Sequence, residues 1–257
     1  MLSRSVSFRV PSIFNSFANL ISAESTRHGG HSQLPFSSLN LGLNTADNPQ
    51  HVQANRNLFF SQFGIAPTQV AFSHQVHGDQ VLVATQAGHY TGYDALITNS
   101  AGLFLSVTVA DCTPILIYDA GQQAVAAIHA GWRGTVAQIA VKTIQAMQQT
   151  FGTNPRNCYA YIGTCIDDCS FEVGSEVAAE FEDQFKRYDS DKQKYCIDLK
   201  NANAAQLMTM GLPKSQIEIS PYSTVLHNQD YFSYRLEHGQ TGRMLALIGL
   251  KSNSLNK

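Results

Sequence analysis

Cysteine and histidine are the side chains here best suited to hold a metal or begin a nucleophilic attack, and one pair of them brackets an apolar hairpin. The segment opening Asp111-Cys112-Thr113-Pro114 and closing at His129 is two hydrophobic runs on either side of Ala120-Gly121. A small dipeptide between such runs predicts a two-residue hairpin loop. In that register Asp119 faces Gln122 and, at the far end, Cys112 faces His129. Their Cα atoms would lie about 4.5–5.5 Å apart with both side chains on one face. A soft thiolate beside an imidazole suits zinc, with copper as the alternative. The best source of a third ligand is His74-Gln75-Val76-His77, which lies between strand-like runs and ends at Gly78, where the chain can turn tightly. With His77, Cys112 and His129 as ligands a fourth position stays open for water or substrate, as in catalytic zinc sites. Such a metal would lower the pKa of its bound water towards roughly 7. Two other readings fit the same residues. A histidine on a sheet and a buried cysteine are often plain packing residues, and Cys112 with His129 could form a metal-free nucleophilic pair.

After His129 the chain reads Ala130-Gly131-Trp132-Arg133-Gly134-Thr135 and enters a long amphipathic segment. Glycines there let backbone approach a ligand, and Arg133 at a helix start offers a charge-assisted fork for phosphate or carboxylate. The plain alternative is a strand-to-helix turn with Trp132 in the core and Arg133 in solvent. Ser233-Tyr234-Arg235 and Thr241-Gly242-Arg243 set two more arginines around a glycine-containing turn, with possible anion contacts. Cys165 and Cys169 have a spacing metals can use, but no second pair accompanies them, so buried thiols are expected.

The elements that must position these groups are legible in outline. Strands are expected at 70–72, 80–85, 95–98, 104–109, 115–119, 124–129, 158–162 and 246–250, from β-branched enrichment between Gly, Asn and Asp. The clearest helix covers about 135–150, where Val136, Ile139, Ala140, Ile144 and Met147 share a face and Gly152 with Pro155 follow. Further helices are expected at about 49–63, 174–185 and 201–210. Strands in clusters with helices between predict an α+β fold with mixed sheets.

The chain has 257 residues, enough for a well-buried core, and nothing between its ends resembles a linker. One domain is expected, with its core at about 11–251 and a frayed polar stretch at 251–257. Only 14% of residues are charged and the net charge is -2, so no basic stripe offers itself to nucleic acid, and small molecules are the better partners. No run is long and apolar enough for a membrane span. Arg4 and Arg9 precede a segment that Pro11, Asn15, Ser16 and Asn19 break up as a signal core. Phe14, Phe17, Leu20 and Ile21 read instead as the start of a packed element. The five cysteines are irregularly spaced, which predicts reduced thiols and a cytoplasmic setting.

Together these blocks resemble the laccase-domain (multicopper polyphenol oxidoreductase) family, whose members are also described as purine nucleoside phosphorylases. The resemblance runs from Ser25-Thr26-Arg27-His28-Gly29-Gly30 to Leu250. It takes in Leu39-Asn40-Leu41-Gly42, Asn55-Arg56, His74–Gly78, Asp94-Ala95-Leu96-Ile97-Thr98, Ala110-Asp111-Cys112, His129–Gly134, Phe171-Glu172-Val173-Gly174 and Phe232–Arg235. It implies that His77, Cys112 and His129 are zinc ligands, with Cys112 and Asp111 as candidate catalytic residues. Arg133, Asn40, Arg56, Tyr234 and Arg235 are candidates for substrate or phosphate. It also implies a sandwich-like core of mixed sheets flanked by helices, similar to the catalytic domain of cytotoxic necrotizing factor. The implied chemistry is phosphorolysis of adenosine, inosine and 5'-methylthioadenosine, with adenosine deamination as a second activity. Alternatives are a copper-dependent polyphenol oxidase and a Cys–His hydrolase editing cell-wall precursors. The first is disfavoured because the nine histidines are mostly scattered. The chain departs from the family pattern at Val109 (usually Thr), Thr164 (usually Pro) and Ser223 (often Cys), and the changes at 164 and 223 are expected to alter pocket shape.

Overall fold

The structure, a computed structural model, describes residues 5–252, so Arg4 and residues 253–257 of the expected frayed stretch lie outside it. Lys251 does not fray. Its N–H donates to the Asn19 carbonyl and its ammonium to the Ala18 carbonyl.

The strands with the longest apolar runs are buried along their whole length: Thr113–Asp119, Ala124–Ala130 and Met244–Leu250. Since successive side chains of a strand point to opposite faces, a run buried throughout must be covered on both sides. The fold supplies both covers. Leu116, Tyr118, Val125 and Ala127 point inward against Leu105, Val107, Ala246 and Ile248 of a second sheet. Ile115, Ile117, Ala126 and Ile128 point outward against Ile139, Ile144 and Met147 of the helix Ile139–Phe151. On the far side, Leu245 and Leu247 pack under Phe59 and Phe60 of the helix Pro49–Ser61. The expected α+β sandwich flanked by helices is therefore a stack of four layers, helix, sheet, sheet, helix.

The first sheet has the order Phe8–Arg9, Leu20–Ser25, Met244–Leu250, Phe104–Val109, Val70–His74, Gly88–Thr91, with the last three strands mutually parallel. The second has the order Ile217–Ile219, Cys158–Ile162, Thr113–Asp119, Ala124–Ala130, Ala95–Thr98, Val81–Val83, antiparallel except at its two edge pairs. A small antiparallel sheet of Glu172–Val173, Lys194–Ile197 and Lys186–Asp189 stands beside them. The chain crosses from the first sheet to the second three times near the site, between His74 and Val81, between Thr91 and Ala95, and between Val109 and Thr113.

Three expectations are corrected. The hairpin loop spans residues 120–123 rather than Ala120-Gly121, so Asp119 pairs with Ala124 and Pro114, not Cys112, lies opposite His129. The Asp119 carboxylate is the cause: it accepts the N–H groups of Gly121 and Gln122, and Gln123 closes the wider loop at φ 51. The helix expected over 135–150 is two, Trp132–Val136 and Ile139–Phe151, because Gln138 takes the left-handed conformation between them. The helix expected over 174–185 stops after Ser175–Ala178, where the Lys186 ammonium takes the carbonyls of Ala178 and Phe181.

Candidate active site

The three sheet-to-sheet crossings arrive at one end of the sandwich: the first carries His77, the second Asp94 and the third Cys112. His129 comes from the end of Ala124–Ala130 in the second sheet. The ligand atoms of His77, Cys112 and His129 all lie within 4.8 Å of one another. The two imidazoles meet edge to face with ring centroids 4.8 Å apart. The hairpin slip does not separate Cys112 from His129, because a shift by two residues preserves the face. Cys112 projects across Gly131, where a Cβ would lie 3.1 Å from its Sγ and 3.3 Å from His77 Cδ2.

Asp94 organises the cluster and was not among the residues singled out for a role. Its side chain is fully buried. One oxygen accepts the His77 N–H at 3.0 Å and the His129 Nδ1–H at 2.8 Å. The other accepts the N–H groups of Val76 at 3.1 Å and Gly78 at 2.8 Å. Three consecutive N–H groups thus wrap one carboxylate, which offsets the cost of His77 sitting at φ 59. With Nδ1 committed to Asp94, Nε2 of His129 is the nitrogen left for Cys112 and a ligand. Gln75 pins the same loop to the first sheet, accepting the Thr108 N–H and donating to the Thr108 carbonyl, both at 2.8 Å. Sequence signals for Asp94 were its place before an apolar strand and its position within the family-like block.

Burial alone would push the Cys112 thiol up, but the charge and hydrogen bonds of His129 and His77 outweigh it and pull it down. Burial would push the His129 imidazole down, and Cys112 with Asp94 raises it instead. Asp94, although desolvated, is held below the usual carboxylate range by His129 and the loop N–H groups. The pair therefore favours a thiolate, the form in which cysteine binds metal. A soft thiolate and two imidazoles converging on one point, with no Cβ at Gly131 to crowd them and a carboxylate behind His129, fit a transition-metal ion. Cys158 and Cys165, buried without such partners, are both pushed up to about 12.

Above the donors opens a cavity of about 480 Å³, within the range of small-molecule sites. Arg133, Tyr234, Arg235 and Asp111 all line it. Asp111 accepts the Thr224 hydroxyl at 2.5 Å and the Arg235 N–H at 2.6 Å, holding the Tyr234-Arg235 turn over the opening. Arg133 is exposed, its guanidinium 4.4 Å over its own neighbour Trp132. Asn40 and Arg56 do not line this cavity. Asn40 is buried and braces the 40–47 loop through Thr45 and Asp47. Arg56 is buried under Phe72, donates to the Leu41 carbonyl, and is lowered by burial to about 10. Thr164 and Ser223 lie away from the cavity lining as well.

The sequence model of the family described as multi-copper polyphenol oxidoreductase laccase matches residues 22–251. The chain belongs to this family. Within the laccase family it is 35% identical over 250 residues to the purine nucleoside phosphorylase of Bacteroides thetaiotaomicron, covering 91% of this chain and 93% of the relative. It is 36% identical over 231 residues to purine nucleoside phosphorylase YfiH of Escherichia coli, covering 88% and 92%. Among solved structures, YlmD from Geobacillus stearothermophilus superposes with a TM-score of 0.88 at 32% identity, covering 93% of this chain and 94% of that one. The mixed-sheet α+β architecture is thus that of solved members of the laccase family. No helix among the described residues is long and apolar enough to cross a membrane.

Proposed function

We propose that the chain is a zinc-dependent purine nucleoside phosphorylase acting on adenosine, inosine and 5'-methylthioadenosine, with adenosine deamination as a second activity of the same cavity. One observation carries this reading: a His77–Cys112–His129 donor set at the floor of a cavity of about 480 Å³ that is also lined by arginines. The names of the Bacteroides and Escherichia relatives agree with it. Bound zinc would supply a Lewis-acid centre beside the substrate. In phosphorolysis a phosphate oxygen forms a bond to ribose C1' while the bond from C1' to the purine nitrogen breaks; the base leaves with the electron pair and takes up a proton. Positive charge grows on the ribose as that bond lengthens, so an anion held at its face stabilises the transition state and supplies the nucleophile. An arginine of the cavity holds that anion, Asp111 is the carboxylate that orders the Tyr234-Arg235 turn beside it, and Tyr234 offers a ring for the purine to lie against. Five free thiols suit a reducing cytoplasm. With this reading goes the expectation that the sandwich shares its plan with the catalytic domain of cytotoxic necrotizing factor, which a superposition would test.

The deciding experiment incubates the purified protein with adenosine, phosphate present or absent, and separates adenine, ribose 1-phosphate and inosine by chromatography. Adenine release that ignores phosphate would indicate hydrolysis. No turnover of any purine nucleoside would favour the Cys112–His129 hydrolase on cell-wall precursors, for which the lowered thiol is the supporting observation. Polyphenol oxidation ranks behind both. Among the described residues one potential metal cluster contains histidine, whereas multicopper chemistry calls for several metal centres.

A further inference from the structure

Three arginines line the cavity, and their hydrogen bonds differ in what they leave free. Arg133 is exposed over Trp132 and has no fixed partner among the described residues. Arg235 spends Nη1 and Nη2 on the carbonyls of Ser170 and Glu172, at 3.2–3.4 Å. Arg243 donates from Nη1 alone, to the carbonyls of Thr241 and Gly242, both at 2.9 Å. Those two bonds fix the guanidinium plane, which lies 5.4 Å from the Tyr234 ring centroid, and leave Nε and Nη2 without a hydrogen-bond partner among the described residues.

The geometry points to Arg243, rather than Arg133, as the anchor of the phosphate co-substrate, with Asn40 and Gly42 as its positioning residues. The assignment deepens the phosphorolysis reading and rests on it. The backbone of Arg243 is clamped from both sides: its N–H donates to Asn40 Oδ1 at 2.9 Å and its carbonyl accepts the Leu41 N–H at 3.0 Å. Asn40 Oδ1 also takes the Gly42 N–H at 3.0 Å. The stem of Arg243 lies against Gly42, where a Cβ would stand 2.5 Å from its Cγ. Thus the Leu39-Asn40-Leu41-Gly42 segment, whose asparagine does not reach the cavity, acts there through the arginine it holds. Burial depresses the basicity of Arg243, opposed by Tyr234, Asp111 and Cys112, which places the guanidinium in the field of the catalytic end. The nearby carboxylate of Asp111 has its oxygens occupied by the Thr224 hydroxyl and the Arg235 N–H. A fixed, partly desolvated guanidinium with two open donors matches a tetrahedral oxyanion, which a fork can engage with two charge-assisted bonds.

The test compares Arg243→Ala, Arg243→Lys, Gly42→Ala and Arg133→Ala with the parent for phosphate KM, nucleoside KM, kcat and zinc content. Calorimetric titration with inorganic phosphate is run on each protein. Arg243→Ala should raise the phosphate KM and weaken phosphate binding by roughly 10- to 100-fold, the loss of one charge-assisted fork, with zinc content and nucleoside KM little changed. Gly42→Ala should move phosphate affinity the same way, Arg243→Lys should fall between, and Arg133→Ala should leave it nearly unchanged. A phosphate loss in Arg133→Ala without one in Arg243→Ala overturns the assignment, as does a parent protein that binds no phosphate. If Arg243→Ala fails to fold, unchanged phosphate affinity in both Gly42→Ala and Arg243→Lys overturns it. A parent that binds phosphate but turns over no nucleoside sinks the phosphorylase reading alone, and the calorimetry still decides the role of Arg243.

Discussion

Asp94 shows how much one buried side chain can set at the residue scale. Its two oxygens receive four N–H groups, three from the loop that carries His77 and one from His129 itself. An amide in its place would turn an NH₂ towards groups that are themselves donors. Asp94→Asn should therefore weaken zinc retention by roughly ten- to a hundredfold, the usual cost of losing a partner behind a metal ligand. Cys112→Ser, which removes the thiolate, should retain less zinc still. Competition with a chelator measures both; retention equal to the parent's in Asp94→Asn would show that the His77 loop and His129 hold their places without the carboxylate. The three donors were legible in the sequence because cysteine and histidine are rare and their chemistry is narrow. Asp94 was harder to read, since its role depends on a fold that brings residues 76–78 and 129 around it, and a lone aspartate has many bland explanations.

At the scale of elements, the long central strands could be read because both their faces are buried and the apolar runs are unbroken. The edge strands Gly88–Thr91 and Ile217–Ile219 could not, since they are short and half-exposed, with no pattern to distinguish them from loop. Hairpin geometry failed for a different reason. Ala120-Gly121 is a sound two-residue loop by composition, but the Asp119 side chain competes for its N–H groups and widens the turn to 120–123. The error was harmless to the site because it came in a step of two. What does decide the site at this scale is the strand end at Ala130 and the missing side chain just beyond it. Gly131→Ala would put a methyl carbon within 3.1–3.3 Å of Cys112 and His77, so one donor must give way. The expected result is weaker zinc binding with an unchanged circular dichroism spectrum. Zinc affinity equal to that of the parent would mean that the cluster is looser than its geometry implies.

Across the whole molecule the sheets are joined by a polar tie as well as by apolar packing. Glu24, on a strand of the first sheet, is completely buried and accepts the hydroxyl of Tyr161 from the second sheet at 2.6 Å. Thr164 adds its N–H at 2.7 Å and its hydroxyl at 3.0 Å. A proline at 164, usual in the family pattern, could donate neither. Burial raises the Glu24 carboxyl above its ordinary value, against the pull of Tyr161 and Thr164. The native state then holds this proton to higher pH than the unfolded chain does, so the contribution of Glu24 to stability falls as pH rises above 4.5. Glu24→Gln should accordingly gain on the parent in Tm as pH rises above 4.5; a Tm difference independent of pH would show that the carboxyl does not titrate above its ordinary value. The order of strands carries a consequence for how the molecule comes into being. Met244–Leu250 lies in the middle of its sheet, paired with Leu20–Ser25 on one side and Phe104–Val109 on the other, and Arg243 precedes it directly. A chain emerging from the ribosome has His77, Cys112 and His129 in hand long before the strand that closes the sheet behind them. The complete cavity, with Arg243 in its lining, can therefore form only after nearly the whole chain has been made.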